Sequence, residues 1–112
     1  MKTYKFTLNA DKKLVEKLVN TDDVIINHIV LPKGEKVPCH YSNSRVHLII
    51  IRGTMTLTLE DETNKFEAGT IVYVPFNTKM IIENKDDEIL EFFVIKAPHP
   101  KKLGAPEEAI KC

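Results

Sequence analysis

Apolar and polar positions alternate along most of this chain with the two-residue period of half-buried β-strands. Between residues 24 and 96 the alternating runs are rich in β-branched and aromatic residues, and Gly, Pro, Asn and Asp separate them at near-regular intervals. The predicted strands are Val24–Leu31, Val46–Ile51, Met55–Leu59, a strand around Phe66, Ile71–Val74, Lys79–Asn84 and Ile89–Lys96. Many short strands of this kind predict an all-β fold, built as an antiparallel barrel or sandwich.

The first twenty residues carry a mixed pattern. Tyr4, Phe6 and Leu8 share one face of an expected opening strand. The following segment, ADKKLVEKLVN, places an apolar stripe at helical spacing, with Asn9 or Asp11 in position to cap the first turn. We therefore predict one short N-terminal helix before the main strands begin.

The last sixteen residues, 97–112, combine three prolines with several charged side chains, so they cannot continue a central strand. We expect an arm or a frayed end, in which His99 is solvated between Pro98 and Pro100. The 112 residues fit one domain with a core at about residues 24–96.

Two predicted strands are apolar on both faces. The runs VIINHIVL and EILEFFVIK leave few positions for water. A strand that is buried on both faces needs a second covering surface, and in a small barrel with one helix that cover is another subunit. This pattern motivates the expectation of a homodimer.

The charge balance narrows the classes of partner. Lysine plus arginine and aspartate plus glutamate total 16 each, so no broad field attracts nucleic acid or an anionic membrane. No apolar run is long enough for a membrane span or a leader, and we expect a cytoplasmic protein. Cys39 and Cys112 do not form the pattern of a disulfide framework, which predicts two reduced thiols.

Two glycine-led blocks carry the most specific signal. The first reads Gly-x5-His-x-Ser from residue 34 and runs to a glycine at 53; the second reads Gly-x5-Pro-x-Asn-x2-Met-x3-Asn from residue 69. These blocks resemble the two motifs of the cupin superfamily, whose first motif supplies two His and a Glu and whose second supplies a third His as metal ligands. The resemblance implies a small RmlC-like jelly-roll barrel, with His40 at the barrel mouth.

The resemblance also implies that most of the family's metal ligands are replaced. His40 keeps the first His position, whereas Ser42 and Met80 stand in the places of the second and third His. A hydroxyl and a thioether are poor donors for zinc, manganese or ferrous iron, so no metal is expected. Asn77 replaces a glycine of the family, and because Asn tolerates a left-handed backbone we expect that turn to survive.

The family's Glu position falls on Val46 or His47, depending on the direction of counting. Counting back from Gly53 gives Val46, and this count is preferred because a one-residue slip would turn every side chain of the strand to the other face. On that register Val46 and Leu48 face the cavity and His47 faces away. A bulge would restore the other register, and His40 and His47 could then hold a metal together.

Three functions remain open. The leading hypothesis is a cavity that binds a small, partly apolar organic ligand without a metal. Its lining residues are His40, Ser42, Val46, Leu48 and Met80. His40 is the only candidate catalytic residue, as a general acid or base, and whether a reaction follows binding is left open. The alternatives are a metal-dependent enzyme of dioxygenase or isomerase type, which uses His40 and His47, and a regulatory or protein-interaction module with a packed barrel.

Overall fold

The computed structural model describes residues 1–112 and is built almost entirely from β-strands. Its nine strands are β1 (Leu14–Asn20), β2 (Ile25–Leu31), β3 (Lys36–Tyr41), β4 (Val46–Arg52), β5 (Thr54–Leu59), β6 (Glu62–Glu67), β7 (Ile71–Val74), β8 (Lys79–Glu83) and β9 (Leu90–Lys96). A five-stranded sheet has the order β1-β2-β9-β4-β7, and a four-stranded sheet has the order β3-β8-β5-β6. All strand pairs are antiparallel. The predicted all-β fold is confirmed, including every strand expected between residues 24 and 96.

The core lies between the two sheets. In β4 the side chains of Val46, Leu48 and Ile50 are buried, whereas the alternate residues His47 and Ile51 are exposed and Ile49 is half-buried. The same alternation in the other strands fills one cluster of 13 buried side chains, drawn from both sheets. Because successive strand residues face opposite sides, the sequence alternation decides which side chains enter this core.

The predicted N-terminal helix is wrong, because Leu14–Asn20 is strand β1 and pairs with β2. The pairing register shifts between Lys17 and Val19, which is a β-bulge or similar irregularity. One extra residue moves the alternation to the opposite phase, so the apolar positions on either side of it fit a helical spacing as well as a strand. The hydrogen bonds along the edge of β2 stabilise this segment as a strand, and the local sequence pattern carries no information about them.

The segment before β1 lies over the outer face of the five-stranded sheet and is not the opening strand that we expected. The ring of Phe6 is 5.0 Å from that of His28 and 4.9 Å from that of Phe93. His28 is fully buried, and its two ring nitrogens lie 2.7 Å from Glu16 Oε1 and 2.6 Å from Glu91 Oε2. The ring contacts of Phe6 and the hydrogen bonds from Thr7 to the carboxylate of Glu16, at 3.0 Å and 2.9 Å, hold the N-terminal segment in place without strand pairing.

Strand β3, which contains Pro38, is an addition to the predicted strands. It is an edge strand of the four-stranded sheet and pairs there with β8 alone. Its register shifts between Val37 and His40, so Pro38 sits where no ladder hydrogen bond is required. This edge position allows a proline-containing segment to carry His40 into the sheet.

The C-terminal segment is packed, which corrects the expectation of a frayed end. After β9 it forms a 3₁₀ helix, Pro100–Leu103, and His99 is only 6% exposed, with its Nε2 3.0 Å from Glu107 Oε1. The amide of Asn43 donates to the backbone carbonyls of Pro106 at 3.0 Å and Glu107 at 2.9 Å. These partners are more than 60 residues apart in sequence, so local composition could not predict them.

A disulfide joins Cys39 to Cys112, which corrects the prediction of two reduced thiols. The two residues are separated by 73 positions in sequence, yet their Cα atoms are 5.4 Å apart. Beside the bond, the backbone N–H of Cys112 donates to the carbonyl of Cys39 at 3.1 Å, and that of Tyr41 donates to Ile110 at 2.9 Å. The end of the chain therefore runs along the free edge of β3.

Two turns require unusual backbone conformations. Gly53, between β4 and β5, has φ +79°, and a Cβ atom there would lie 2.3 Å from the carbonyl oxygen of Ile89. Asn77, between β7 and β8, has φ 59°, as expected from its tolerance of a left-handed backbone. None of the helical segments has the length and apolar character of a membrane span.

Candidate functional site

A cavity of about 140 Å³ lies between the two sheets at one end of the core. All five residues expected in the ligand site line it, namely His40, Ser42, Val46, Leu48 and Met80. Its other lining residues are Asn27, Ile29, Val37, Asn43, Ile82, Val94 and Lys96. The walls are mostly aliphatic, with a small number of polar side chains among them, which is the usual make-up of a small-molecule site.

The cavity continues into a larger, more open depression of about 330 Å³, which we call the vestibule. Four residues line both spaces: Asn27, Val37, His40 and Lys96. The remaining wall of the vestibule comes from β1, β2, Pro38 of β3 and the C-terminal segment between Glu107 and Lys111. The packed tail therefore builds part of the entrance to the cavity.

His40 is half-buried on β3, opposite Met80 of β8 in the strand register. Its Nδ1 lies 2.8 Å from the carbonyl oxygen of Pro38. A carbonyl only accepts, so Nδ1 carries the hydrogen, and in the neutral ring Nε2 keeps a free lone pair. Nε2 makes no hydrogen bond to the protein and can accept one from a ligand, or take up a proton.

Ser42 lines the cavity, but its hydroxyl is already engaged. It donates to the carbonyl of Pro75 at 2.5 Å and accepts from the backbone N–H of Thr78 at 2.8 Å. These bonds tie the end of β3 to the turn between β7 and β8. The residue in the family's second His position therefore holds that turn and leaves little capacity for a ligand.

His47 lies outside the cavity. It is exposed on the outer face of β4, where its ring centroid is 5.1 Å from that of Tyr73. Val46 takes the inward position and is 1% exposed, which is the register given by counting back from Gly53. The pairing of His40 with His47 at one metal ion is therefore absent from this arrangement.

The donor set of the cavity does not fit the metal that the resemblance to cupins implies. The positions that correspond to the four ligands hold one imidazole, a hydroxyl bonded to backbone, a valine and a thioether. Nowhere in the structure do three or more His, Cys, Asp or Glu side chains lie together as a metal-binding group. First-row metals in catalytic sites are held by about three nitrogen, oxygen or thiolate ligands, so these residues do not form such a site.

Two buried amide oxygens of the cavity residues have no hydrogen-bond partner, Asn27 Oδ1 and Asn43 Oδ1. Asn43 is 4% exposed, and its orientation is set because Nδ2 donates to two carbonyls of the tail. Sequence reasoning missed both residues. For Asn27 a signal existed, since it is the one polar residue between Ile25 and Ile29 on the inward face of β2.

Lys96 is the third polar residue of the cavity wall that sequence reasoning missed. It ends the inward face of β9, two residues after Val94, and pairs in register with Ile25 of β2 and Val46 of β4. Burial lowers the pKa of the Lys96 ammonium below its ordinary value of 10.5, and the negative charge of Glu108 opposes that effect. His40 and Lys96 are the two titratable side chains on the wall of the inner cavity.

Comparisons with known proteins agree with this architecture. A family model for the cupin domain matches residues 27–96. The uncharacterised protein MJ0764 of Methanocaldococcus jannaschii is 67% identical over 112 residues, which are 99% of this chain and 97% of that protein.

Solved structures give the same result. The crystal structure of the RmlC-like cupin mj0764 from Methanocaldococcus jannaschii, which has a double-stranded β-helix fold, superposes with a TM-score of 0.92 at 65% identity, over 94% of this chain and 97% of that chain. The cupin domain of Cnp3 from Schizosaccharomyces pombe shares the fold, with a TM-score of 0.75 at 15% identity, over 91% of this chain and 81% of that one. The chain therefore belongs to the cupin family and has the RmlC-like double-stranded β-helix fold.

Proposed function

We propose that this cupin binds a small, partly apolar organic ligand in the inner cavity without a metal ion. The observation that carries the proposal is a largely aliphatic cavity that continues into the vestibule, with the free Nε2 of His40 on the wall that the two spaces share. A ligand with a hydroxyl or amine hydrogen can donate to this nitrogen while its apolar part contacts the walls.

The size of the site fits a small ligand. A cavity of about 140 Å³ is close to an engineered apolar cavity of about 150 Å³ that binds benzene in another protein. The inner part therefore accommodates a group of about six carbon atoms, and the vestibule gives room for a polar part of the same molecule.

His40 has two roles in this proposal. Its Nε2 accepts a hydrogen bond from the ligand, because Nδ1 is fixed on the Pro38 carbonyl. The same nitrogen is the candidate general base or acid if binding is followed by proton transfer, since it would lie at the junction of cavity and vestibule.

The test uses two histidine variants. His40→Ala removes the ring at the cavity, and His47→Ala removes a ring from the outer face as a matched control. A thermal-shift screen of small acids, alcohols and sugars, followed by calorimetry on the hits, measures binding. We expect a ligand that binds the wild type and His47→Ala equally and loses affinity for His40→Ala. Equal binding to all three proteins would contradict the proposal.

A metal measurement separates this proposal from the metal-dependent alternative. Elemental mass spectrometry on protein purified without chelators gives the metal content of the wild type and of His40→Ala. About one ion per chain in the wild type, lost in His40→Ala, would replace the ligand proposal with the metal-dependent one.

The outer face of the five-stranded sheet supports a second proposal, the homodimer expected from the sequence. Ile51, Ile71 and Tyr73 are 44%, 62% and 48% exposed and share this face on neighbouring strands β4 and β7. Exposed side chains of this size, clustered together, are typical of subunit interfaces. Light scattering after size exclusion at micromolar concentration tests the proposal, and a monomer mass would contradict it.

A further inference from the structure

Lys96 occupies an unusual position for a lysine. The inward face of β9 is formed by Leu90, Phe92 and Val94, which are buried, and Lys96 continues the same face to the junction of cavity and vestibule. Lys96 is half-buried there, and lysine is among the residues that are rarely buried unless they are paired. Lys96 nevertheless has no carboxylate within salt-bridge distance and makes no hydrogen bond through its side chain. The protein thus places a positive charge at the cavity that no carboxylate contacts directly, and only the more distant charges of Glu107 and Glu108 oppose it.

The nearby carboxylates are committed to other partners. Glu108 Oε1 is 3.5 Å from Lys17 Nζ, and Glu107 Oε1 is 3.0 Å from His99 Nε2. Three lysines and two glutamates line the vestibule, which leaves one excess positive charge when His40 is neutral. With His40 neutral, Lys96 is the only charged residue that lines both the vestibule and the cavity. The excess positive charge therefore lies at the inner end of the vestibule.

We infer that the ligand is a small organic acid whose carboxylate pairs with Lys96 while its apolar chain fills the inner cavity. This inference rests on the proposed function and adds the chemical class of the ligand. One ammonium matches the single charge of a monocarboxylate. A phosphate would require several donors, such as arginine or a group of backbone N–H groups, and the cavity wall contains no arginine.

The rest of the wall completes this assignment. A carboxylate at Lys96 leaves Nε2 of His40 as an acceptor on the same part of the wall, and a hydroxyl or amine group of the acid can donate to it. Ile29, Leu48 and Val94 then contact the chain. The class is a monocarboxylic acid of about six carbon atoms, with or without a hydroxyl or amine group, a size taken from cavities of similar volume.

The experiment compares acids with their neutral amides, because each pair has nearly the same shape and differs in charge. The probes are hexanoate, 2-hydroxyhexanoate and 4-methylpentanoate, each with its primary amide. Calorimetry gives affinity, and the signals of isotope-labelled methionine methyl groups report the place of binding. Met80 lines the cavity, whereas Met55 is buried elsewhere in the core and serves as the internal reference.

Three lysine variants identify the charge that matters. Lys96→Met removes the charge and keeps a long chain, Lys96→Arg keeps the charge, and Lys111→Met removes a charge from the vestibule only. Circular dichroism confirms that each variant is folded. We expect the acids to bind the wild type at least about tenfold more tightly than their amides, which corresponds to about 1.4 kcal/mol. Lys96→Met removes this preference, Lys96→Arg retains part of it, and Lys111→Met changes it less than about threefold.

The outcomes distinguish this inference from the proposed function. If acids and amides shift the Met80 signal with equal affinity, the cavity binds ligands and the acid assignment is overturned. An acid preference that persists in Lys96→Met overturns it as well. If no probe moves the Met80 signal at millimolar concentration, then both the inference and the proposed cavity function are contradicted.

Discussion

Removal of the disulfide between Cys39 and Cys112 should cost this protein a large share of its stability. The bond spans 73 positions, and a cross-link over a loop of that length restricts the unfolded chain. The chain-entropy model gives about 4 kcal/mol for such a loop. A domain of this size has a total stability of about 5–15 kcal/mol, so the change is readily measured.

The assay is equilibrium unfolding in guanidinium chloride. It compares the oxidised wild type with the Cys39→Ser/Cys112→Ser double variant and with wild type that has been reduced and alkylated. With a slope of about 4 kcal/mol/M, the midpoint should fall by about 1 M. The double variant and the alkylated protein should agree, because both lack the cross-link and keep the hydrogen bonds between the chain end and β3.

Two results would refute this reasoning. Thiol titration of the denatured, unreduced wild type should find no free thiol, so two free thiols would show that the pairing is wrong. If the bond is present but the oxidised and double-variant proteins unfold at the same midpoint, the cross-link contributes nothing and the tail is held by its packing alone.

The remaining predictions concern backbone geometry and acid sensitivity. Gly53→Ala should destabilise the fold by about 3 kcal/mol, since it combines a left-handed conformation with a Cβ placed 2.3 Å from a backbone oxygen of Ile89. Gly34→Ala is the control in equilibrium denaturation, because Gly34 also has a left-handed backbone, φ +85°, but nothing lies within 4 Å of the added Cβ. If both variants lose the same free energy of unfolding, the steric argument is contradicted. The hydrogen bond from His99 lowers the pKa of Glu107 below its ordinary value of 4.5. The ionised Glu107 therefore stabilises the fold fully above pH 4.5, and this stabilisation is lost as the pH falls through the lower folded-state pKa. In acid unfolding, the stability difference between the wild type and Glu107→Gln should therefore shrink below about pH 4.5, and a difference that is constant with pH would contradict the assignment.

The alternation of apolar and polar residues determined most of this fold, because it decides which side chains of a strand share a face. The β4 residues Val46 and Leu48 could be placed inward from the sequence, since Gly53 fixes the end of the strand and the register has a period of two. The left-handed turn at Asn77 was also predictable, because the cost of that conformation belongs to one residue.

Only the tertiary structure decided the features that depend on distant partners. Strand β1 forms because β2 offers it an edge, and the bulge near Leu18 conceals the strand in the sequence. Cys112 reaches Cys39 only after the tail has packed against β3. Lys96 and Asn27 enter the site because sheet pairing brings β9 and β2 together at the cavity. Most of these contacts join residues that are far apart in sequence, and the others form only after such contacts are in place. Their free energy therefore cannot be inferred from the local sequence pattern.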